Sequence, residues 1–282
     1  MHAGIEMGGT KTVVALGTAE GEVLEEVRFP TLDGPKTMEA ALSWIADRGP
    51  VEALGVAAFG PVRVDRKAAD FGTMLATPKP GWRDFSIRGA VEHRFPGLPF
   101  ALDTDVNAAA LAEADGEGNL AYITIGTGIG AGILTGGKLV HGVVHPEFGH
   151  WYPRRADGDD FPGVCPFHGD CLEGLASGPA MTRRWGAEPK DLPGDHDAWR
   201  FEVEYLAQAV ISLLASCSPA RVVIGGGVSQ GERFHQAVEA RVRALSGGYF
   251  PMADEAGFIF PPKYGQQAGI RGALLLAGRL GG

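Results

Sequence analysis

Short apolar runs and amphipathic segments alternate along the first part of the chain. Polar or glycine-rich turns separate them, a pattern typical of strands joined by hairpins and helices. The predicted strands are Ala3–Met7, Thr12–Leu16, Val23–Phe29, Ala53–Phe59 and Phe100–Leu102, and the predicted helices are Pro35–Asp47, Ser86–Phe95 and Val106–Ala114. The pattern therefore predicts an α/β unit that begins with three consecutive strands.

The pattern restarts at Leu120. The predicted strands are Leu120–Ile125, Ala131–Thr135, Lys138–Val140, Arg221–Ile224 and Phe258–Phe260, and the predicted helices are Pro179–Trp185, Asp197–Ser216, Glu232–Leu245 and Gln267–Leu280. The segments IEMGGTKTVVAL and ITIGTGIGAGIL both place a Gly/Thr turn between two strands. Such a repeat predicts an internal duplication, with a cleft between two similar α/β lobes.

We expect two lobes, because 282 residues are long for one core and sufficient for two. Residues 1–114 and the C-terminal helix 267–282 would form a small N-terminal α/β lobe. Residues 115–266 would form a larger C-terminal α/β lobe that carries a cysteine- and histidine-rich loop.

The composition favours a soluble cytoplasmic globular protein, with 45% hydrophobic and 21% charged residues. No apolar run has transmembrane length, and the chain opens directly into a strand pattern, so we expect neither a membrane partner nor a signal peptide. The net charge of −9 argues against nucleic acid as a partner. Of the three cysteines, Cys217 lies in an apolar run and is expected in the core.

The other two cysteines lie in a loop rich in Pro, Gly and Asp. Cys165, His168 and Cys171 are three residues apart, and His150 precedes them. Two thiolates and two imidazoles suit a tetrahedral, structural Zn²⁺ site with all four positions filled by protein. The alternative is a chance grouping of polar residues in a surface loop.

Two glycine-rich turns are candidate phosphate sites. Gly9 precedes Thr10 and Lys11 in a turn between strands, so it is not a Walker loop, which leads from a strand into a helix. Its unobstructed N–H groups, hydroxyl and cation suit phosphate, although such a turn alone is usually only a hairpin. The corresponding turn at Thr127 favours phosphate binding on two sides of a triphosphate.

A third glycine run, Gly225–Gly227, follows an apolar strand and precedes a helix. A nucleotide at the carboxyl end of a parallel strand would use such a run, and a plain strand-to-helix turn is the alternative. The segment DTDVN also joins a strand to a helix. Asp105 is the candidate general base for a hydroxyl that attacks a γ-phosphate, whereas Asp103 suits an N-cap or loop role. Asn107 would order the same loop.

Glu147, His150 and Glu173 lie around the cysteine-rich loop. Acidic acceptors beside neutral donors suit a polyhydroxyl substrate, although Glu147 alone would be an ordinary solvated charge. The stiff segment ATPKPGW carries Trp82, an aromatic that looks exposed in the sequence. Trp82 would either form a wall of a sugar pocket or anchor the loop.

The order of these motifs resembles the ROK family (repressor, open reading frame, kinase) over nearly the whole chain. The matching segments are IEMGGTK, DTDVNAAA, ITIGTGIGAG, PEFGH, CLEGLASGPA and IGGGVS, and within the family ATPKPGW, HPEFGH and CPFHGDC resemble the bacterial fructokinases. This resemblance implies a two-lobed, actin-like (duplicated, ribonuclease H-like) sugar kinase fold. It also implies ATP, Mg²⁺, a hexose substrate such as fructose, and a homodimer.

The resemblance also implies residue roles. Asp105 matches the catalytic base; Asn107, Glu147, His150 and Glu173 match sugar-binding positions; Gly9, Thr10, Lys11 and Thr127 match phosphate-binding positions; Pro179, Gly226 and Gly227 match nucleotide-binding positions; and His150, Cys165, His168 and Cys171 match the structural zinc ligands.

Two positions depart from the family pattern. Most members have three cysteines in CxCGxxGC, and here a histidine replaces one thiolate, which keeps four zinc ligands. Glu6 also stands where Asp is frequent, so its role toward Mg²⁺ is less defined. The alternatives within the family are a mannokinase or glucokinase. A sugar-responsive regulator without kinase activity is the alternative in another class. A repressor of this family would carry a DNA-binding segment before the first glycine turn, and here that turn begins at residue 8.

Overall fold

The computed structural model describes residues 1–114, 116, 118–231, 233–252 and 257–280. The first half contains β1 His2–Met7, β2 Lys11–Gly17, β3 Val23–Pro30, α1 Gly34–Ala46, β4 Ala53–Ala58, α2 Ile87–Arg94, β5 Phe100–Thr104 and α3 Asp105–Glu113. The second half contains β6 Leu120–Ile125, β7 Ile129–Thr135, β8 Lys138–Leu139, α4 Leu172–Ala176, α5 Gly178–Trp185, α6 Ala198–Cys217, β9 Arg221–Gly225, α7 Phe234–Ser246, β10 Ile259–Phe260 and α8 Ala268–Gly278.

These elements belong to two compact units. The first unit comprises residues 1–115, 139–146 and 266–282, and the second comprises residues 116–138 and 147–265. Residues 139–146 were predicted in the second lobe, but they belong to the first unit. One contact that joins them to it is the hydrogen bond between His141 and Asp103. Three features of the sequence prediction, namely residue 115 at a boundary, the helix start at Glu232 and residues 281–282, lie outside the described residues.

The first unit is built on the sheet β3-β2-β1-β4-β5. β1 pairs antiparallel with β2 and parallel with β4, so it is a central strand, and its apolar side chains are buried. Burial on both faces explains why the run Ala3–Met7 is almost continuously apolar. Residues of α1, α2 and the sheet form one hydrophobic core with Trp82.

Local signals fix the helix starts in this unit. The Asp33 side chain accepts a hydrogen bond from the N–H of Lys36 at the start of α1, where proline follows in the first turn. The Thr104 side chain accepts from the N–H of Asn107 at the start of α3. Such caps satisfy N–H groups that have no partner inside the helix. They therefore set the position of α3 directly after strand β5.

The second unit repeats this topology. Its sheet has the order β8-β7-β6-β9-β10, in which β6 pairs antiparallel with β7 and parallel with β9. β6 thus occupies the position that β1 has in the first unit, as the predicted internal duplication requires. α4 has no counterpart among the predicted helices, because five residues between a loop and another helix carry too little periodicity.

Two predicted locations are wrong. Trp82 is fully buried, and its Nε1–H donates to the carbonyl of Leu32 at 2.7 Å, so it anchors its loop. Cys217, expected in the core, is partly exposed at the C-terminal end of α6. Within the described part of the chain, none of the helices combines the length and the apolar character that a membrane crossing needs.

Candidate functional site

Hydrogen bonds within the first unit close the turn between β1 and β2. The Gly8 N–H donates to the Lys11 carbonyl at 2.9 Å, and the Thr31 hydroxyl donates to the Gly8 carbonyl at 2.8 Å. Gly9, Thr10 and Lys11 are exposed. A tight turn with exposed donors and a nearby cation can bind an anion through its backbone and side chains.

Lys79 is a functional candidate that the sequence did not single out. Its ammonium donates to the Gly9 carbonyl at 2.6 Å, which brings a second cation to the same turn as Lys11. The signal in the sequence was the stiff TPKPGW segment, whose buried Trp82 fixes the loop. The interpretation of that segment considered the tryptophan and overlooked the lysine.

Asp105 is the first residue of α3, directly after β5. Its side chain is partly buried, and one carboxylate oxygen accepts from the Val106 N–H at 2.9 Å. A carboxylate at a helix N-terminus is stabilised by the helix dipole. Asp105 therefore has a fixed position at a strand end without being enclosed in the core.

Glu6 lies at the end of β1 near this carboxylate. Burial raises the pKa of Glu6 to about 7, and the negative charge of Asp105 adds to the rise. The Glu6 Oε2 atom is buried, and it has no hydrogen-bond partner among the described residues. An unsatisfied carboxylate oxygen close to a second carboxylate suits a hard cation such as Mg²⁺.

The Asp103 and Asn107 side chains are both buried. Asn107 Nδ2 donates to Asp103 Oδ1 at 2.6 Å, so this asparagine orders the loop, as one sequence interpretation expected. Thr104, rather than Asp103, is the N-cap. The predicted direct contact between Asn107 and a sugar would have to be made by a residue that is only 1% exposed.

The second unit brings the four predicted zinc ligands together. One ligand atom from each of His150, Cys165, His168 and Cys171 lies within 4.8 Å of the others. His150 Nδ1 is 3.8 Å from Cys165 Sγ and 3.6 Å from Cys171 Sγ, and His168 Nδ1 is 3.6 Å from Cys165 Sγ. Tetrahedral Zn²⁺ with bonds of about 2.0–2.3 Å places its ligands roughly 3.3–3.8 Å apart. These three separations and the donor types therefore fit the ion.

Burial without a cation is unfavourable for the thiolate form in this cluster. It raises the pKa of the Cys171 thiol to about 11. Zinc would stabilise the thiolate and release the proton. His150 places Nδ1 in the cluster, so its other ring nitrogen remains for a second role.

Glu173 and Glu147, the two candidate sugar-binding glutamates, both lie in the second unit. Glu173 lies in α4, and its Oε2 accepts from the Ile129 N–H at 3.0 Å, at the end of the second glycine turn. Glu147 precedes the short 3₁₀ helix Phe148–His150, and its carbonyl accepts from the His150 N–H at 3.0 Å. The Glu173 side chain thus connects α4 to the β6–β7 turn.

A groove of about 800 Å³ lies in the second unit beside this turn. It is lined by three of the predicted nucleotide-binding residues, Thr127, Pro179 and Gly227. Pro179 lies in the first turn of α5, whose N-cap Ser177 accepts from the Ala180 N–H. A groove of this volume has the size that suits a nucleotide, and the adjacent helix N-terminus suits a phosphate.

The Gly225–Gly227 run serves two purposes rather than one. A Cβ on Gly225 would lie 2.8 Å from Pro262, and Gly226 has φ +93° with Ile125 backbone atoms close by. At Gly227, by contrast, no atom lies within 4 Å of a Cβ, and this residue lines the groove. Packing therefore requires the first two glycines, and only the third is open to a ligand.

Comparisons with known proteins show what this chain is similar to. The sequence pattern of the ROK family matches residues 2–279. The chain is 39% identical to the fructokinase of Zymomonas mobilis, over 97% of this chain and 95% of that protein. It is 38% identical to the fructokinase of Pediococcus pentosaceus, over 97% and 96%.

A solved structure shares the fold. The ROK family glucokinase from Streptomyces griseus, in complex with glucose and AMPPNP, superposes with a TM-score of 0.76 and 26% identity, over 99% of both chains. The predicted two-lobed, actin-like sugar kinase fold is confirmed by this similarity. A match of the family pattern to almost every residue, together with relatives near 40% identity, leads to one conclusion: this chain belongs to the ROK family.

Proposed function

We propose that the protein transfers the γ-phosphoryl group of ATP to the 6-hydroxyl of a hexose, with fructose as its substrate. The observation that carries this proposal is the placement of Asp105 at the junction of β5 and α3, in the unit that also contains the exposed Gly9–Lys11 turn. The similarity to two fructokinases over nearly the whole chain selects fructose.

Asp105 would accept the proton of the attacking hydroxyl. Phosphoryl transfer requires little covalent chemistry from the protein, so positioning and charge stabilisation supply most of the rate. Lys11 and the N–H groups of the Gly9–Thr10 turn would neutralise phosphate charge. Glu6, whose buried Oε2 has no hydrogen-bond partner among the described residues, would hold Mg²⁺, whose chemistry is to offset the charge of the phosphates.

The second unit would bind the nucleotide and the hexose hydroxyls. Thr127, Pro179 and Gly227 line the groove that suits the nucleotide, and Gly226 fixes the backbone beside it. Glu147, Glu173 and the second nitrogen of His150 would accept from and donate to sugar hydroxyls.

We propose that His150, Cys165, His168 and Cys171 bind one structural Zn²⁺. The ion would hold the loop that carries His150 next to Glu147, and so would couple zinc binding to sugar affinity. A homodimer in the cytoplasm also stays a prediction, and light scattering of the purified protein tests the oligomeric state.

The decisive experiment is a coupled ADP-release assay with fructose, glucose, mannose and N-acetylmannosamine. Fructose should have the highest kcat/KM. Asp105→Asn should lower kcat by about 10²- to 10⁴-fold, the usual contribution of a general base, without changing the melting temperature. Full activity in Asp105→Asn, or no turnover of any hexose by the wild type, would refute the proposal.

A higher kcat/KM for mannose or glucose would instead identify a mannokinase or glucokinase. Exposed Asp65→Asn is a matched control, because that side chain lies in a loop of the first unit outside the proposed site. It should leave kcat unchanged.

A further inference from the structure

His141 is linked to the proposed catalytic turn by a buried carboxylate. Its Nε2 lies 2.9 Å from Asp103 Oδ2, and Asn107 Nδ2 donates to Asp103 Oδ1 at 2.6 Å. The Asp103 side chain is 6% exposed and that of His141 is 35% exposed. All three residues belong to the first unit.

The same carboxylate holds the backbone on the N-terminal side of Asp105. Asp103 Oδ1 accepts from the Thr104 N–H at 2.8 Å, and the Thr104 hydroxyl accepts from the Asn107 N–H at 3.2 Å. Residues on both sides of Asp105 are therefore connected to one carboxylate. The orientation of that carboxylate determines the conformation of the turn.

Asp103 needs a hydrogen-bond donor on its second oxygen to hold this orientation. A buried carboxylate oxygen without a donor is costly, and a hydrogen bond from the N–H of His141 offsets much of that cost. The hydrogen bond to Asp103 raises the pKa of His141, as expected for an imidazole that gains a carboxylate partner. His141 binds the second oxygen, so Oδ1 stays available for Thr104 and Asn107.

We propose that His141 is a positioning residue for catalysis, which acts through Asp103 to fix the turn that carries Asp105. The inference rests on the proposed kinase function, and it adds a residue that no motif of the phosphate, sugar or metal sites includes. Its effect should be on kcat more than on the binding of either substrate, because it sets the geometry of the base. A misplacement of about 1 Å can lower a rate by roughly a hundredfold.

The test compares His141→Leu, His141→Gln and the control His93→Leu in steady-state assays with fructose and ATP. His93 is an exposed histidine of α2 in the same unit. His141→Leu should lower kcat roughly tenfold to a hundredfold, with both KM values within about twofold of the wild type. His141→Gln retains an N–H donor near the position of Nε2 and should recover most of kcat, and His93→Leu should match the wild type.

An unchanged kcat in His141→Leu would overturn the inference, as would an equal loss in the Leu and Gln variants. If His141→Leu does not fold, Asp103→Asn and Asp103→Asn/His141→Gln replace it. The double variant should be no slower than Asp103→Asn alone, because both act through one carboxylate, and additive losses would contradict this. Absence of hexokinase activity in the wild type would refute the proposed function itself, before any variant is compared.

Discussion

The Gly226–Gly227 pair gives a sharp test, because the same added methyl group should lower stability at the first glycine and leave stability unchanged at the second. Gly226 has φ +93°, and a Cβ there would lie 2.5 Å from the Ile125 nitrogen and 2.6 Å from its carbonyl carbon, where ordinary contacts are 3.4–4 Å. Gly227 has φ −66° and open space around its Cβ position.

Gly226→Ala should destabilise the protein by about 2–5 kcal/mol. The left-handed conformation costs a residue with a Cβ about 1–2 kcal/mol, and overpacking against backbone adds about 1–3 kcal/mol. At roughly 2–4 °C per kcal/mol for chains of this size, the melting temperature should fall by about 4–20 °C. Differential scanning calorimetry measures this directly.

Gly227→Ala should leave the melting temperature within about 2 °C of the wild type, the effect of a surface change of no more than about 0.5 kcal/mol. Its methyl group would enter the groove beside Thr127 and Pro179, so KM for ATP should rise while KM for fructose stays constant. Equal melting temperatures for the two variants would refute the packing argument. An unchanged KM for ATP in Gly227→Ala would refute the assignment of the groove to the nucleotide.

Three further predictions concern other parts of the molecule. Elemental analysis should find about one zinc per chain. Cys165→Ser should lose the ion, melt at a lower temperature and bind fructose more weakly. Fructose affinity that survives zinc removal would contradict a positioning role for the cysteine- and histidine-rich loop. Burial raises the pKa of Glu202 well above its usual range, so the wild type should lose stability as pH rises above the carboxyl pKa of the unfolded chain. Glu202→Gln should remove this loss. In urea denaturation, the variant should therefore be more stable than the wild type at pH 8 and equally stable at pH 4. Lys79→Met should lower kcat/KM for ATP about tenfold with the melting temperature unchanged, because one charged donor beside Gly9 is lost, and exposed Lys67→Met is its control.

Much of the fold follows from local patterns. The apolar runs that end at Gly8 and Gly126 predicted strands β1 and β6 within one residue, because buried strands and tight turns leave strong local signals. The repeat of strand, glycine turn and strand predicted an internal duplication, and the two sheets indeed share one strand order. Helix α4 escaped prediction since five residues of helix depend on packing rather than on periodicity.

The cluster of His150, Cys165, His168 and Cys171 was also predicted from the sequence. Cysteine and histidine have few common roles when they recur at three-residue spacing, so residue type and spacing were enough to predict that Cys165, His168 and Cys171 lie together. The glycines are a different case, since the three residues of Gly225–Gly227 look equivalent in the sequence. Only the approach of the Ile125 and Pro262 atoms distinguishes the two that packing requires from the one that faces the groove.

The sequence by itself therefore determined the family, the internal duplication and the chemistry of the candidate groups, because these depend on residue type and on spacing along the chain. The tertiary structure decided which groups meet across long separations. His141 is 38 residues from Asp103, and Lys79 is 70 residues from Gly9. No local periodicity encodes such pairs, since the contacts form only when separate elements pack and bury a charge that needs a partner.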